Sequence, residues 1–300
     1  MKSTITTILF LVGLAVTIAL PIQATDTSAK PSFTVKVTGK GKPIILIPGL
    51  SSSGAVWDST VAHFKGRYEC HVVTLAGFAG QPRIENPFLE TVRNDLARYI
   101  RTKKLDHPVI VGHSLGGFMA LWLASHHPDL PGPLVIVDAV PFFPAAFNPA
   151  ATEEFMKLFA DTMRTQMMSA DTAQFIKNSE ATVKSMVAGT TNFNLVMSWV
   201  KATDPIAAAN AMFDLLTHDL RADLAKIKSP TLTLGSWKSF KDYVTREESE
   251  GRFREQFAQL KNCKLVMADT GHFIMLDDPK WFYAQMDNFL RNPLPTAKTK

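Results

Sequence analysis

The segment that most constrains this chain is Pro108-Val109-Ile110-Val111 running into Gly112-His113-Ser114-Leu115-Gly116 and on to Phe118-Met119-Ala120-Leu121-Trp122-Leu123-Ala124. A short β-rich run, a Gly-x-Ser-x-Gly turn and a helical apolar pattern in that order form a nucleophile elbow, which holds a serine on a strained turn at a strand end. Glycine at 112 and 116 removes the Cβ atoms that would keep neighbouring backbone away, while Ser114 takes the strained angles and points Oγ outward. The helix that begins there aims its free N-terminal amides, that of Leu115 included, at negative charge developing beside Ser114. Ser114 is the expected nucleophile.

Two other segments fit the same chemistry. Ile44-Ile45-Leu46-Ile47 reads as a buried strand that ends in the loop Pro48-Gly49-Leu50-Ser51-Ser52-Ser53-Gly54, ahead of a helix over Ala55 to Phe64. Such a loop supplies a second backbone N–H to an oxyanion hole, and Leu50 is the best-placed donor. Near the C-terminus, Lys264-Leu265-Val266-Met267 reads as a strand leading into Ala268-Asp269-Thr270-Gly271-His272-Phe273. That puts His272 on a loop past a strand end, where a general base belongs.

From Lys42 onward, apolar runs alternate with helical patterns such as Phe88 to Leu105 and Leu115 to His127. The alternation predicts parallel strands with crossover helices, and the chain is long enough to bury one full core. Residues 141–220 break the pattern. They lack strand-like runs and read as several helices inserted between two core strands, a cap dividing the core into residues 25–140 and 221–300. The cap opens on Pro141-Phe142-Phe143-Pro144 and holds more than half of the 12 methionines. Met156, Phe159, Met163 and Met167 recur at helical spacing, followed by Phe193, Met197 and Trp199. Helix packing accounts for such a stripe. Turned toward Ser114, it would equally make an apolar, adaptable pocket, with Phe142 and Phe143 as candidate substrate-binding residues. An apolar ester suits that composition better than a sugar or a phosphate.

On these residues the chain resembles the α/β-hydrolase fold superfamily, in its serine-nucleophile, esterase- and lipase-like branch with a helical cap. The resemblance rests on Gly112 to Gly117 and Gly271-His272, more weakly on Pro48-Gly49-Leu50 where many relatives carry His-Gly, and spans residues 33 to 292. It implies an α/β fold with a mostly parallel twisted sheet, helices on both faces and the inserted cap, and serine preceding histidine fits its order. Relatives with an aspartate nucleophile are disfavoured by Ser114. The triad acid stays open between two aspartates. Relatives most often carry it three residues beyond the glycine that ends a strand matching Pro230 to Gly235, and here that position is Lys238. A longer loop would bring in Asp242; alternatively Asp138, at the end of Leu134-Val135-Ile136-Val137, occupies the site some lipase-like relatives use.

The resemblance implies hydrolysis of carboxylic esters through an acyl-enzyme, with no cofactor and no metal. The same triad would serve an amidase, lactonase, thioesterase, carbon–carbon hydrolase, haloperoxidase or perhydrolase, and a missing acid would favour a binding protein on a disabled scaffold. In relatives the strands bearing Cys70 and Cys263 lie far apart, so two buried thiols are expected in place of a disulfide. His126-His127 has no metal-ligand spacing and ends a helix, where a cation suits the dipole.

Met1-Lys2, the apolar stretch Ile5 to Leu20 and the break Pro21-Ile22-Gln23-Ala24 have the form of a secretory signal peptide cleaved after about Ala24, with an uncleaved N-terminal membrane anchor as the alternative. An exported protein, periplasmic or secreted, is therefore expected, with no stable membrane insertion after cleavage. The formal net charge of +5 would fall only by the loss of Lys2. No basic cluster marks a nucleic-acid partner. The expected partner is a small-molecule ester, and the oligomeric state stays open.

Overall fold

The computed structural model describes residues 31–169 and 171–295. In chain order the elements are β1 (Phe33–Gly39), β2 (Lys42–Ile47), α1 (Asp58–Phe64), β3 (Tyr68–Leu75), α2 (Phe88–Thr102), β4 (Val109–His113), α3 (Leu115–His126), β5 (Leu134–Val137), α4 (Glu153–Ser169), α5 (Thr172–Met186), α6 (Gly189–Lys201), α7 (Pro205–Thr217), β6 (Thr231–Ser236), α8 (Arg246–Gln256), β7 (Cys263–Ala268), α9 (Ile274–Asp277) and α10 (Pro279–Arg291). The helix expected over Ala55 to Phe64 is split into a 3-10 turn, Gly54–Trp57, and α1. The signal-like segment lies outside the described residues.

The strands form one sheet in the order β1-β3-β2-β4-β5-β6-β7, parallel except for β1, which pairs antiparallel with β3. This is the mostly parallel α/β architecture expected. Its central strands are apolar on both faces because helices cover both. Along a strand, successive side chains point to opposite sides. Ile45, Ile47, Ile110 and Ile136 accordingly pack with α2 and α3, while Ile44, Leu46, Val111 and Val135 pack with Trp57 of the 3-10 turn and with α1 and α10 through Phe64, Phe282 and Phe289. Helix α3 is buried on every side from Leu115 to Ser125, as its lack of a polar face requires. Edge strand β1 is half-exposed and carries no buried run.

Four helices, α4 to α7, fill the stretch between β5 and β6, with α4 packed on α7 and α5 on α6. The starts of α5 and α7 are capped in the usual way: Asp171 accepts from Gln174 N, and Asp204, followed by Pro205, accepts from Ile206 N and Ala207 N. Cys70 on β3 and Cys263 on β7 are free, with four strands between theirs. Burial pushes the Cys70 thiol up to about 11, leaving it unreactive.

Candidate active site

Ser114 sits between β4 and α3 with φ 52° and ψ −118°, a left-handed backbone that costs a non-glycine residue energy. The sheet holds it there. Its N–H donates to Val137 O at 2.9 Å, and its carbonyl accepts from Gly117 N and Phe118 N at 2.9 and 3.0 Å. A Cβ on Gly112 would lie 2.1 Å from Gly116 O, and one on Gly116 would lie 2.2 Å from Ile47 O, so neither position admits a side chain. The Ser114 hydroxyl makes no hydrogen bond among the described residues. The amides of Leu115 and Leu50 likewise have no acceptor among them. All three residues line one cavity together with His272.

Of the two aspartates, Asp138 is the one beside His272. Asp138 follows β5 with φ 46°, and its N–H continues the ladder to Leu234 O at 2.7 Å. Its Oδ2 lies 2.5 Å from His272 Nδ1 and accepts from Ser236 Oγ at 2.7 Å, while Oδ1 accepts from Ser236 N at 2.6 Å. A carboxylate only accepts, so Nδ1 carries the proton and Nε2 is left free to take one. Asp242 is exposed and neither bonds His272 nor lines the cavity. The reason is local. After β6 the chain tightens into a 3-10 turn, Lys238–Phe240, which brings Ser239 Oγ to within 3.0 Å of His272 N and leaves Asp242 beyond it at the surface. Ser236 and Ser239 carried no sequence signal beyond lying at and just after a strand end.

His113 also went unmarked as a contact residue. It is 1% exposed, and its Nε2 donates to the carbonyl of His272 at 3.1 Å. A carbonyl cannot donate, so Nε2 bears the hydrogen and Nδ1 is bare, buried and unpartnered. A Cβ on Gly49 would lie 2.9 Å from that Nδ1. One ring thus packs between the strand that leads to Ser114, the His272 loop and the Leu50 loop. Burial, and then the nearby His272, hold the His113 imidazole well below its ordinary value, so it stays neutral. The stability consequence has a definite sign. Below about pH 6.5 the unfolded chain takes a proton on this ring that the folded one refuses, so stability falls with falling pH by up to about 1.4 kcal/mol per unit from this group. Chemical denaturation from pH 7 down to about 5 is expected to give a shallower loss for His113→Gln, whose Nε2 can still donate; an unchanged slope would mean the folded ring is charged.

The cavity has a volume of about 930 Å³. Ser114, His272 and Asp138 form its polar floor, and Met163, Met167, Phe175, Val183 and Met186 of the inserted helices supply apolar wall. Phe143 lines it, but Phe142 does not. Phe142 is extended, with φ −144° and ψ 105°, so the two side chains point to opposite sides. That of Phe142 is fully buried in a separate cluster with Ala145, Ala151 and Met156, beneath the Arg221 guanidinium at 5.0 Å. The methionine stripe divides as well: Met156 joins the Phe142 cluster, and Phe159 is exposed. Phe147, Phe240 and Tyr243 line the cavity while remaining exposed, and therefore stand at its mouth. Among the described residues, no group of three or more His, Cys, Asp or Glu is placed to hold a metal ion.

The sequence model of the Alpha/beta hydrolase family matches residues 44–285. A pimeloyl-[acyl-carrier protein] methyl ester esterase of Vibrio atlanticus is 29% identical over 152 residues, covering 51% of this chain and 54% of that protein. This chain thus spans about half the length of that relative. The Aeromonas hydrophila protein of the same name is 28% identical over 265 residues, 86% of this chain and 99% of its own length. Among solved structures, a hydrolase from Pseudomonas aeruginosa superposes with a TM-score of 0.72 at 17% identity, over 86% of this chain and 94% of the other. A likeness at that identity concerns the fold.

Proposed function

Because this chain belongs to the alpha/beta hydrolase family, we propose that it is a serine hydrolase of carboxylic esters, with Ser114 as nucleophile, His272 as base and Asp138 as acid. The observation that carries the reading is the Asp138–His272 pair on the floor of the cavity that Ser114 also lines. His272 Nε2 takes the Ser114 proton as Oγ attacks the acyl carbon, and the oxyanion is received by the free amides of Leu50 and Leu115. The imidazolium, steadied by Asp138, then protonates the departing alcohol. Water clears the acyl-enzyme by the same route. A disabled binding scaffold would have no need of a carboxylate held by Ser236 against the base.

The apolar wall supports esters with an apolar acyl or alcohol part. The names of the Vibrio and Aeromonas relatives support ester cleavage in particular, over the amide, lactone, thioester, carbon–carbon and haloperoxidase or perhydrolase chemistries open to the same triad. Export to the periplasm or the medium, through a signal peptide ending near Ala24, is part of the proposal and rests on residues 1–24 alone; the mass of the mature chain recovered from the periplasmic and extracellular fractions tests it.

Covalent labelling of Ser114 by a fluorophosphonate, followed by a series of ethyl esters, tests the catalytic reading. Each methylene buried in the cavity is expected to raise kcat/KM by about fourfold, or about 0.8 kcal/mol of transition-state binding, until the space is full. Met167→Trp should move the optimum to shorter chains. A flat profile or a preference for acetate would mean that the cap side chains only pack on one another.

A further inference from the structure

Helix α8 presents an atypical face to the cavity. Ser249, Arg252, Phe253 and Gln256 recur at spacings of three and four, share one side of the helix and all line the cavity. The polar groups on this face are rich in unused donors. Gln256 is 4% exposed, and its Oε1 accepts from Phe142 N at 3.2 Å. A backbone N–H must face the oxygen, so the amide orientation is fixed and Nε2 is the buried group left without an acceptor. Arg252 spends Nη1 on Ala146 O at 3.0 Å and makes no ion pair among the described residues. The neighbouring acids make their close contacts elsewhere: Glu250 pairs with Arg246 and Arg254, and Glu248, although near enough to feel the Arg252 charge, accepts from Thr245 N. Among the described residues, Arg252 is the one Arg or Lys that lines the cavity.

A guanidinium on the wall of a mainly apolar cavity is tolerated while water fills the space. When a ligand displaces that water, the cation and the Gln256 donor are left uncompensated unless the ligand brings acceptors of its own. A planar carboxylate matches the guanidinium fork, and a single cation balances a single negative charge, where a phosphate dianion would remain half-neutralised. The position is also close to the chemistry. Ser249, one turn before Arg252, donates to Ser236 O at 3.2 Å, and Ser236 holds Asp138.

We propose that the cavity takes half-esters of aliphatic dicarboxylic acids: the free carboxylate at Arg252 and Gln256, the apolar chain along the cap methionines, and the ester carbonyl at Ser114. The proposal rests on the reading of Ser114 as nucleophile. The structural alternative is that Arg252 serves only as a strut for Ala146 O.

The test compares monoethyl esters of glutaric, adipic and suberic acids with ethyl esters of monocarboxylic acids of equal chain length, on the wild type, Arg252→Met, Arg252→Lys and Arg252→Gln. At matched length the wild type should favour the half-ester by about tenfold or more in kcat/KM, the range of a charge-assisted hydrogen bond. Arg252→Met should abolish that preference, chiefly through KM, with the neutral ester changed by less than about threefold. Arg252→Lys should keep part of it. Should the methionine variant fail to fold, Arg252→Gln, which retains a donor for Ala146 O, carries the same comparison. A wild-type preference for neutral esters, or equal losses on both series, overturns the proposal. If neither series is cleaved, the reading of Ser114 fails instead, and calorimetric titration with free adipate decides the carboxylate site: binding weakened at least about tenfold by Arg252→Met or Arg252→Gln supports it, and unchanged binding or none in the wild type overturns it.

Discussion

Ser114→Ala is expected to lower kcat on the order of a millionfold, the scale on which a serine triad loses its nucleophile, while the protein still folds. The hydroxyl makes no hydrogen bond among the described residues, so its removal breaks none. The bonds that hold the residue run from its backbone, to Val137 O and from Gly117 N and Phe118 N, and alanine keeps them. What remains would be the smaller catalysis from the Leu50 and Leu115 amides and from binding. Steady-state ester hydrolysis alongside a denaturation curve checks both halves. Activity within tenfold of the parent would take the nucleophile away from Ser114.

Asp138→Asn is expected to cost about 10⁴ in kcat. The carboxylate accepts from three donors, Ser236 N, Ser236 Oγ and His272 Nδ1. Asparagine has one oxygen to offer and a donor in place of the other, so the imidazole is left to adopt the tautomer that cannot take the Ser114 proton. Asp242→Asn should change kcat by less than about twofold, as surface substitutions away from a site do. The reverse ranking would move the acid to Asp242; equal small losses would leave His272 without either.

The elbow and the central strands were readable because each is fixed by local physics: runs such as Ile44 to Ile47 and Leu134 to Val137 suit strands buried on both faces, and a serine between glycines at such a strand's end suits one purpose. Asp138 and Asp242 could not be told apart in sequence, since the choice turns on a 3-10 turn at Lys238–Phe240 that has no glycine or proline to announce it. Phe142 and Phe143 looked alike as apolar neighbours, and only the extended backbone at Phe142 sends them to opposite sides. Strand β1 passed unread because, as an antiparallel edge with Lys36 in its middle, it buries too little to leave a pattern. The Arg252 face of α8 was hidden in Arg246-Glu247-Glu248-Ser249-Glu250-Gly251-Arg252, which reads as a solvated charge run. His113 was in plain view inside the motif, yet its contact with the His272 carbonyl joins positions far apart in the chain.

The hydrogen bonds from Ser114 N to Val137 O and from Asp138 N to Leu234 O tie these two residues to neighbouring strands of one sheet. Residues 141–220 leave the sheet only after Asp138 and return before β6. Descent with modification can therefore shorten, lengthen or exchange that excursion without altering the spacing between Ser114 and Asp138. A lineage built on such a chain can explore new diets while keeping Ser114 and Asp138 in place, and a foreign insert grafted between Val140 and Arg221 would have to replace the bonds that Met186 O and Ala188 N make to the segment after His272.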